Sequence, residues 1–316
     1  MKRFLKNMTV LSCLTVAGLH VANCYIEEKA TKKHILTSRN GHYYHWKYGD
    51  IFYTKQGNGT PLLLIHNLTP DSSAYEWTKI LSQLSKNHTV YTLDLLGCGR
   101  SEKPQITYTN YLYVQLVNEF ISKVIGKKTD VITSGHSFTF TIMTNLLNPD
   151  LIRKMIFINP DSIQESSILG TKTNRVSNIM IKMPILGTYL YNILMRKSYI
   201  KDQCNNDYCG KQYFVTTDMI DAYYESAHLN NSKGRFLFAS IYSKYTNVNT
   251  KKALSTLQNP VLLIESEAHE KEEGILAEYQ KINPDIQGTI ISKTTCLPHM
   301  ETPRRTLDQI RSFLEN

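Results

Sequence analysis

Ser137 is the residue whose setting points most directly to chemistry. It lies in Asp130-Val-Ile-Thr-Ser-Gly-His-Ser-Phe-Thr-Phe-Thr141. The β-branched Val131 and Ile132 predict the end of a buried strand, Gly135-His136-Ser137 a tight turn, and the run from Phe138 a helix. A strand that turns sharply into a helix around a serine lifts the hydroxyl off the sheet edge, and the helix N-terminus behind it favours developing negative charge. The expected chemistry is nucleophilic attack on a carbonyl. The usual pattern is Gly-x-Ser-x-Gly; here Thr139 stands in place of the closing glycine.

Three further stretches supply what such a serine needs. In Leu62-Leu-Leu-Ile-His-Asn-Leu68, His66-Asn67 falls at the carboxyl end of an apolar strand. The N–H groups of Leu68 and Phe138 are therefore the expected donors of an oxyanion hole. Asn67 stands where glycine is usual, and asparagine is among the few residues that enter left-handed backbone space. Cys296-Leu-Pro-His-Met-Glu-Thr-Pro303 follows the last strand and precedes the last helix, a setting that resembles where serine hydrolases keep their catalytic histidine, and the resemblance implies His299 as the general base. Between them, Leu93-Asp-Leu-Leu-Gly-Cys-Gly-Arg-Ser-Glu-Lys-Pro104 is an Asp-x-x-Gly-x-Gly-x-Ser turn. It has neither the third glycine nor the following helix of a dinucleotide site, so it is read as structural.

With Ser73-Ala-Tyr-Glu-Trp77 and Tyr91-Thr-Leu-Asp94, these motifs resemble the α/β-hydrolase superfamily, and the chain looks most like hydrolases of low-GC Gram-positive bacteria. The resemblance implies a triad acid after the strand Val261–Ile264, where the chain reads Glu265-Ser-Glu-Ala-His-Glu270. Glu270 is the first choice, with Asp161, Glu267 or no acid at all as alternatives. His136 is expected to line the sheet top or pack under the cap rather than act as a second base. Members with an aspartate nucleophile, the dehalogenases and epoxide hydrolases, fit less well than serine hydrolases. The implied reaction is cleavage of a carboxylic ester or thioester through an acyl-enzyme. Phe138, Phe140 and a Tyr/Met/Leu-rich cap favour an apolar acyl or aromatic group, in a small-molecule or lipid-like substrate. No cofactor or metal is implied. The rival is a catalytically silent, membrane-tethered binding protein, motivated by Thr139, Asn67 and the missing aspartate.

The supporting elements read as an α/β fold: a mostly parallel central sheet with helices on both faces and a helical cap insertion. An aromatic hairpin over 42–48 and 51–55 precedes strands at 62–65, 88–93, 131–134, 154–158, 260–264 and 288–292, with helical stretches over 74–84 and 112–124 and a closing helix over 302–314. The expected divisions are a core of 41–160 and 251–316, a cap of 161–250 and a linker of 27–40. Residues 1–26 open with Lys2, Arg3 and Lys6 ahead of an apolar run from Met8 to Ile26, interrupted by His20 and Asn23. Its length suits a single-pass N-terminal anchor in the cell membrane, the alternative being a signal segment cleaved on secretion.

With 316 residues and 41% hydrophobic content, the chain can bury a large core. The net charge of +9 comes from scattered lysines rather than a stripe interleaved with aromatics, which argues against nucleic acid. The six cysteines lack metal spacing; Cys204 and Cys209 could pair in an oxidising compartment.

Overall fold

The computed structural model describes residues 2–38, 40–209, 214–269 and 274–315. Eight strands, β1 (Gly41–Trp46), β2 (Gly49–Gln56), β3 (Thr60–Ile65), β4 (His88–Leu93), β5 (Thr129–Ser134), β6 (Ile152–Ile158), β7 (Val261–Ser266) and β8 (Gln287–Ile291), form one sheet. Their order is β1-β2-β4-β3-β5-β6-β7-β8. Only β2 runs against the rest, pairing antiparallel with β1 and β4. Strand β3 is apolar over Leu62–Ile65 because helices cover both faces of the sheet; Leu62, Leu63, Leu64 and Ile65 are all fully buried. Parallel pairing through β3, β5, β6 and β7 puts their carboxyl ends along one edge, where such sheets place ligands.

The stretch 74–84 is not one continuous helix. Ala74–Trp77 forms a 3₁₀ turn and Leu81–Leu84 a short helix. Asp94 Oδ1 accepts the Ala74 N–H at 2.7 Å and the Ser73 hydroxyl accepts the Tyr75 N–H at 3.3 Å, so the start is fixed by a tertiary contact rather than by helix periodicity. The loop after β4 is held from within. The buried Asp94 carboxylate takes two bonds from the Arg100 guanidinium, at 2.6 and 2.9 Å, and one from the Arg100 N–H at 2.8 Å. Burial pushes the Asp94 carboxyl up, and Arg100 more than reverses this, holding it below the usual range.

Between β6 and β7 the described residues form helices and turns only, including Lys172–Lys182, Leu186–Leu194, Thr217–Ser232 and Arg235–Tyr242. Cys204 and Cys209 within this segment are buried free thiols.

The N-terminal expectation is corrected. Residues Lys2–Thr31 are one helix, which runs on through the first five residues of the stretch read as linker. Among the described residues, no helix is long and apolar enough to cross a membrane, so a single-pass anchor is not supported. The physical reason lies in the polar residues that interrupt the run. Asn23 donates to Ile185 O at 3.0 Å and accepts from Asn192 Nδ2 at 3.0 Å, and Glu27 accepts the Asn231 N–H at 2.6 Å. Further on, Lys33 pairs with the buried Asp221 at 2.5 Å. These groups tie the helix and its continuation to Leu186–Leu194 and Thr217–Ser232 through polar contacts that a hydrocarbon environment would leave unmade.

Candidate active site

The turn after β5 departs from the expected geometry in one respect that changes every role around it. The chain reverses through a left-handed residue, and that residue is Gly135, with φ +53°. A Cβ at Gly135 would lie 2.4 Å from Asn67 Oδ1, so glycine is required both for the conformation and for the space. Ser137, two residues further on, is right-handed (φ −64°, ψ −17°) and fully buried, and its hydroxyl donates to His66 O at 2.6 Å. The apex of the elbow is therefore Gly135, and Ser137 lies under it, bonded to the end of β3.

Moving the apex also moves the N–H groups. Phe138 N–H is turned back to Gly135 O and His136 O within a 3₁₀ turn. The N–H groups that converge at the strand ends belong to Leu68 and His136. Both donate to one atom, Asn67 Oδ1, at 2.8 and 3.0 Å. Of the two expected donors, Leu68 is in this pair and Phe138 is not. Asn67 has no positive φ, so its side chain rather than left-handed backbone explains its presence. Thr139 is accommodated without crowding: its hydroxyl donates to His136 O at 2.8 Å and accepts from Asn110 Nδ2 at 2.9 Å.

His299 is fully buried and stacks on Trp77 at 4.6 Å between centroids. Its Nε2 lies 3.2 Å from Glu76 Oε1, close enough for an ion pair but without hydrogen-bond alignment. Glu76 Oε2 accepts the Asn67 N–H at 3.2 Å. Burial pushes the Glu76 carboxyl up, but His299, the Ser134 hydroxyl and His66 together bring it below its usual value. Neither ring nitrogen of His299 makes a hydrogen bond among the described residues, so Ser137 and His299 are not hydrogen-bonded to each other. The loop bearing His299 is held by Asn159, whose amide donates to Thr295 O at 3.0 Å and Cys296 O at 2.8 Å, and by Glu301, which accepts the Thr295 N–H at 2.6 Å.

The carboxylates expected to orient His299 are occupied elsewhere or undescribed. Glu270 lies outside the described residues. Glu267 accepts the Lys293 N–H at 2.6 Å, and Asp161 pairs with His136 Nδ1 at 2.6 Å. Glu76 was missed. Its only sequence signal is a carboxylate beside Trp77 on the apolar face of a helix-like stretch, and nothing local says that His299, more than 200 residues later, will meet it.

His136 Nε2 also contacts Thr246 O at 3.0 Å. Two acceptors require two ring N–H groups, so the imidazole is held as the cation. Burial opposes this charge, and Asp161 outweighs burial, raising the His136 pKa above 6.5. Protonation of His136 thus stabilises the fold fully below 6.5, and this is lost as pH rises through the raised value. Asp161→Asn is expected to bring the His136 ring titration, followed by NMR, back down through its ordinary value. Beside this pair, a cavity of about 400 Å³ is lined by Asn67, Leu68, Thr69, His136, Asp161, Ile168, Ile241 and Lys244, among others.

A single sheet of this order, with only β2 reversed and a helical segment inserted after β6, is the α/β-hydrolase fold. The chain matches the α/β-hydrolase-fold family over residues 60–179, and its architecture is that family's fold. It is 27% identical over 110 residues to a haloalkane dehalogenase of Agrobacterium fabrum, covering 35% of this chain and 36% of that one. It is 30% identical over 111 residues to a soluble epoxide hydrolase of Corynebacterium sp. strain C12, covering 34% and 37%. The matches thus span little more than a third of the length of these curated relatives. A serine hydrolase involved in carbazole degradation shares the fold with a TM-score of 0.70 at 16% identity, over 87% of this chain and 98% of that one.

Proposed function

We propose that the protein is a hydrolase that cleaves a carboxylic ester or thioester with an apolar acyl or aromatic group, with the Leu68 and His136 N–H groups receiving the carbonyl oxygen. One observation carries the reading. Those two groups already hold the side-chain amide oxygen Oδ1 of Asn67, at 2.8 and 3.0 Å, the donor distances that stabilise a developing oxyanion. His299, with Glu76 against it, is the acid–base residue. The similarity to hydrolases of one superfamily supports the same class of reaction.

The nucleophile in this reading is a water molecule activated by His299, because the elbow apex is Gly135 and the Ser137 hydroxyl is committed to His66 O. An acyl-enzyme on Ser137 requires that bond to break and the turn to rearrange. Aspartate-nucleophile chemistry has no support, since Gly135 carries no side chain.

A panel of p-nitrophenyl esters of graded chain length tests this. His299→Ala is expected to lower kcat/KM by at least about a hundredfold, while Ser137→Ala stays within about tenfold of wild type. Fluorophosphonate labelling of wild type that disappears in Ser137→Ala would restore the serine route. Folded wild type that turns over no ester and takes no label would leave a silent fold.

A further inference from the structure

Asn67 stands where superfamily members usually have glycine, and its carboxamide does something that no backbone requirement explains. Its Oδ1 takes both converging N–H groups, from Leu68 and His136, and lies in the space that a Cβ on Gly135 would enter. Each donor belongs to a different segment, the loop after β3 and the turn after β5, so the amide bridges the two walls of the site. The same side chain lines the 400 Å³ cavity that continues past His136 and Asp161. Hence this N–H pair at the sheet edge, suited to receive a carbonyl oxygen, is filled by the chain itself.

We propose that the Asn67 carboxamide is an internal plug of the carbonyl-binding site, and that a ligand carbonyl or carboxylate binds by displacing it from the Leu68 and His136 N–H groups. This rests on the reading of those N–H groups as the carbonyl receivers and adds a selectivity consequence. A ligand must offer an oxygen acceptor at least as good as a primary amide, because it replaces two existing hydrogen bonds rather than desolvated, vacant donors. Ester and thioester carbonyls, which are weaker acceptors than amides, then bind weakly in the ground state. A tetrahedral oxyanion, with full charge on oxygen, displaces the plug far more readily. The cost of displacing Asn67 is the same for a substrate carbonyl and for the oxyanion that follows it in the N–H pair, so the plug weakens ground state and transition state alike and raises KM rather than kcat. Asn67 is a positioning and selectivity residue here; it takes no part in bond making.

Benzoate, an aromatic carboxylate of the product class, is the probe, titrated into the full chain while the Leu68 and His136 amide resonances are followed in ¹⁵N-labelled protein. Asn67→Gly removes the plug, and Asn67→Asp replaces it with a charged acceptor of the same shape. In ligand-free Asn67→Gly the Leu68 and His136 amides are expected to shift and lose hydrogen-exchange protection. Benzoate is then expected to bind about tenfold more tightly than to wild type, since two neutral hydrogen bonds no longer compete. In Asn67→Asp, benzoate binding is expected to weaken by about tenfold or more. Asn67→Ala, free of glycine's added backbone freedom, should follow Asn67→Gly. Opposite signs for the two kinds of variant are the signature, since a merely structural role would weaken both. Equal weakening, no gain in the glycine variant, or unmoved Leu68 and His136 amides overturns the plug. If the benzoate pattern holds while no variant hydrolyses any ester, the hydrolase reading fails and the plug stands.

Discussion

Asp94→Ala is expected to destabilise the protein by about 3–5 kcal/mol, the range for removing one partner of a buried ion pair. The size follows from what is left behind. Asp94 is fully buried and accepts four hydrogen bonds, from Ala74 N–H, Arg100 N–H and the Arg100 guanidinium. Without it, the Arg100 side chain, only 16% exposed, keeps its bond to Leu36 O and loses its counter-charge. Two backbone N–H groups also lose their acceptor, at about 1–3 kcal/mol each where no water replaces it. Because the carboxyl is held below its ordinary value, its stabilisation is present above that value and is lost as pH falls through the lowered one. The urea midpoints of wild type and variant should thus differ most near neutrality and converge in acid. A midpoint within the error of wild type at pH 7 would mean that the loop does not depend on this carboxylate.

Glu76→Gln is expected to lower ester turnover by about a hundredfold or more, the scale associated with general acid–base catalysis. Glutamine retains the shape and an oxygen to accept the Asn67 N–H, but it removes the one carboxylate that lies against His299 among the described residues. The imidazolium that forms when His299 takes a proton would then be buried without a counter-charge, and the Trp77 face stacked on it offers only a weaker attraction. The wild-type carboxyl sits below its usual value, so Glu76 is ionised at neutral pH, and what its charge contributes is lost as pH falls through that lowered value. The variant should lack this acid limb in both its pH–rate profile and its stability curve. Turnover within about threefold of wild type would show that His299 works without Glu76. Glu76→Ala should be worse in stability than Glu76→Gln, because it also abandons the Asn67 N–H.

The fold was legible because its signals are local. Apolar runs such as Leu62–Ile65 and Val261–Ile264, separated by helical stretches, state a parallel sheet covered on both faces, and Gly135 states a sharp turn after β5 wherever the apex falls. The N-terminal segment shows the limit of composition. Its apolar run is near the length of a membrane span, and only the contacts of Asn23 and Glu27 with residues some 160–200 positions away show where the helix packs.

The site divided along the same line. Sequence alone determined that a strand–turn–helix with Ser137, a His66-Asn67 strand end and a late His299 belong to one sheet edge, because each is defined by its own flanking element. Tertiary structure decided the rest. Whether the apex is Gly135 or Ser137 is a two-residue shift that no local propensity distinguishes, and it is settled by the space beside Asn67. Which carboxylate meets His299, and which oxygen fills the Leu68 and His136 N–H pair, depend on where separate loops come to rest. Those are contacts between segments far apart in the chain, and the 3.0 Å hydrogen bond from His136 N–H to Asn67 or an ion pair of 3.2 Å exists only once the packed core has brought the segments together.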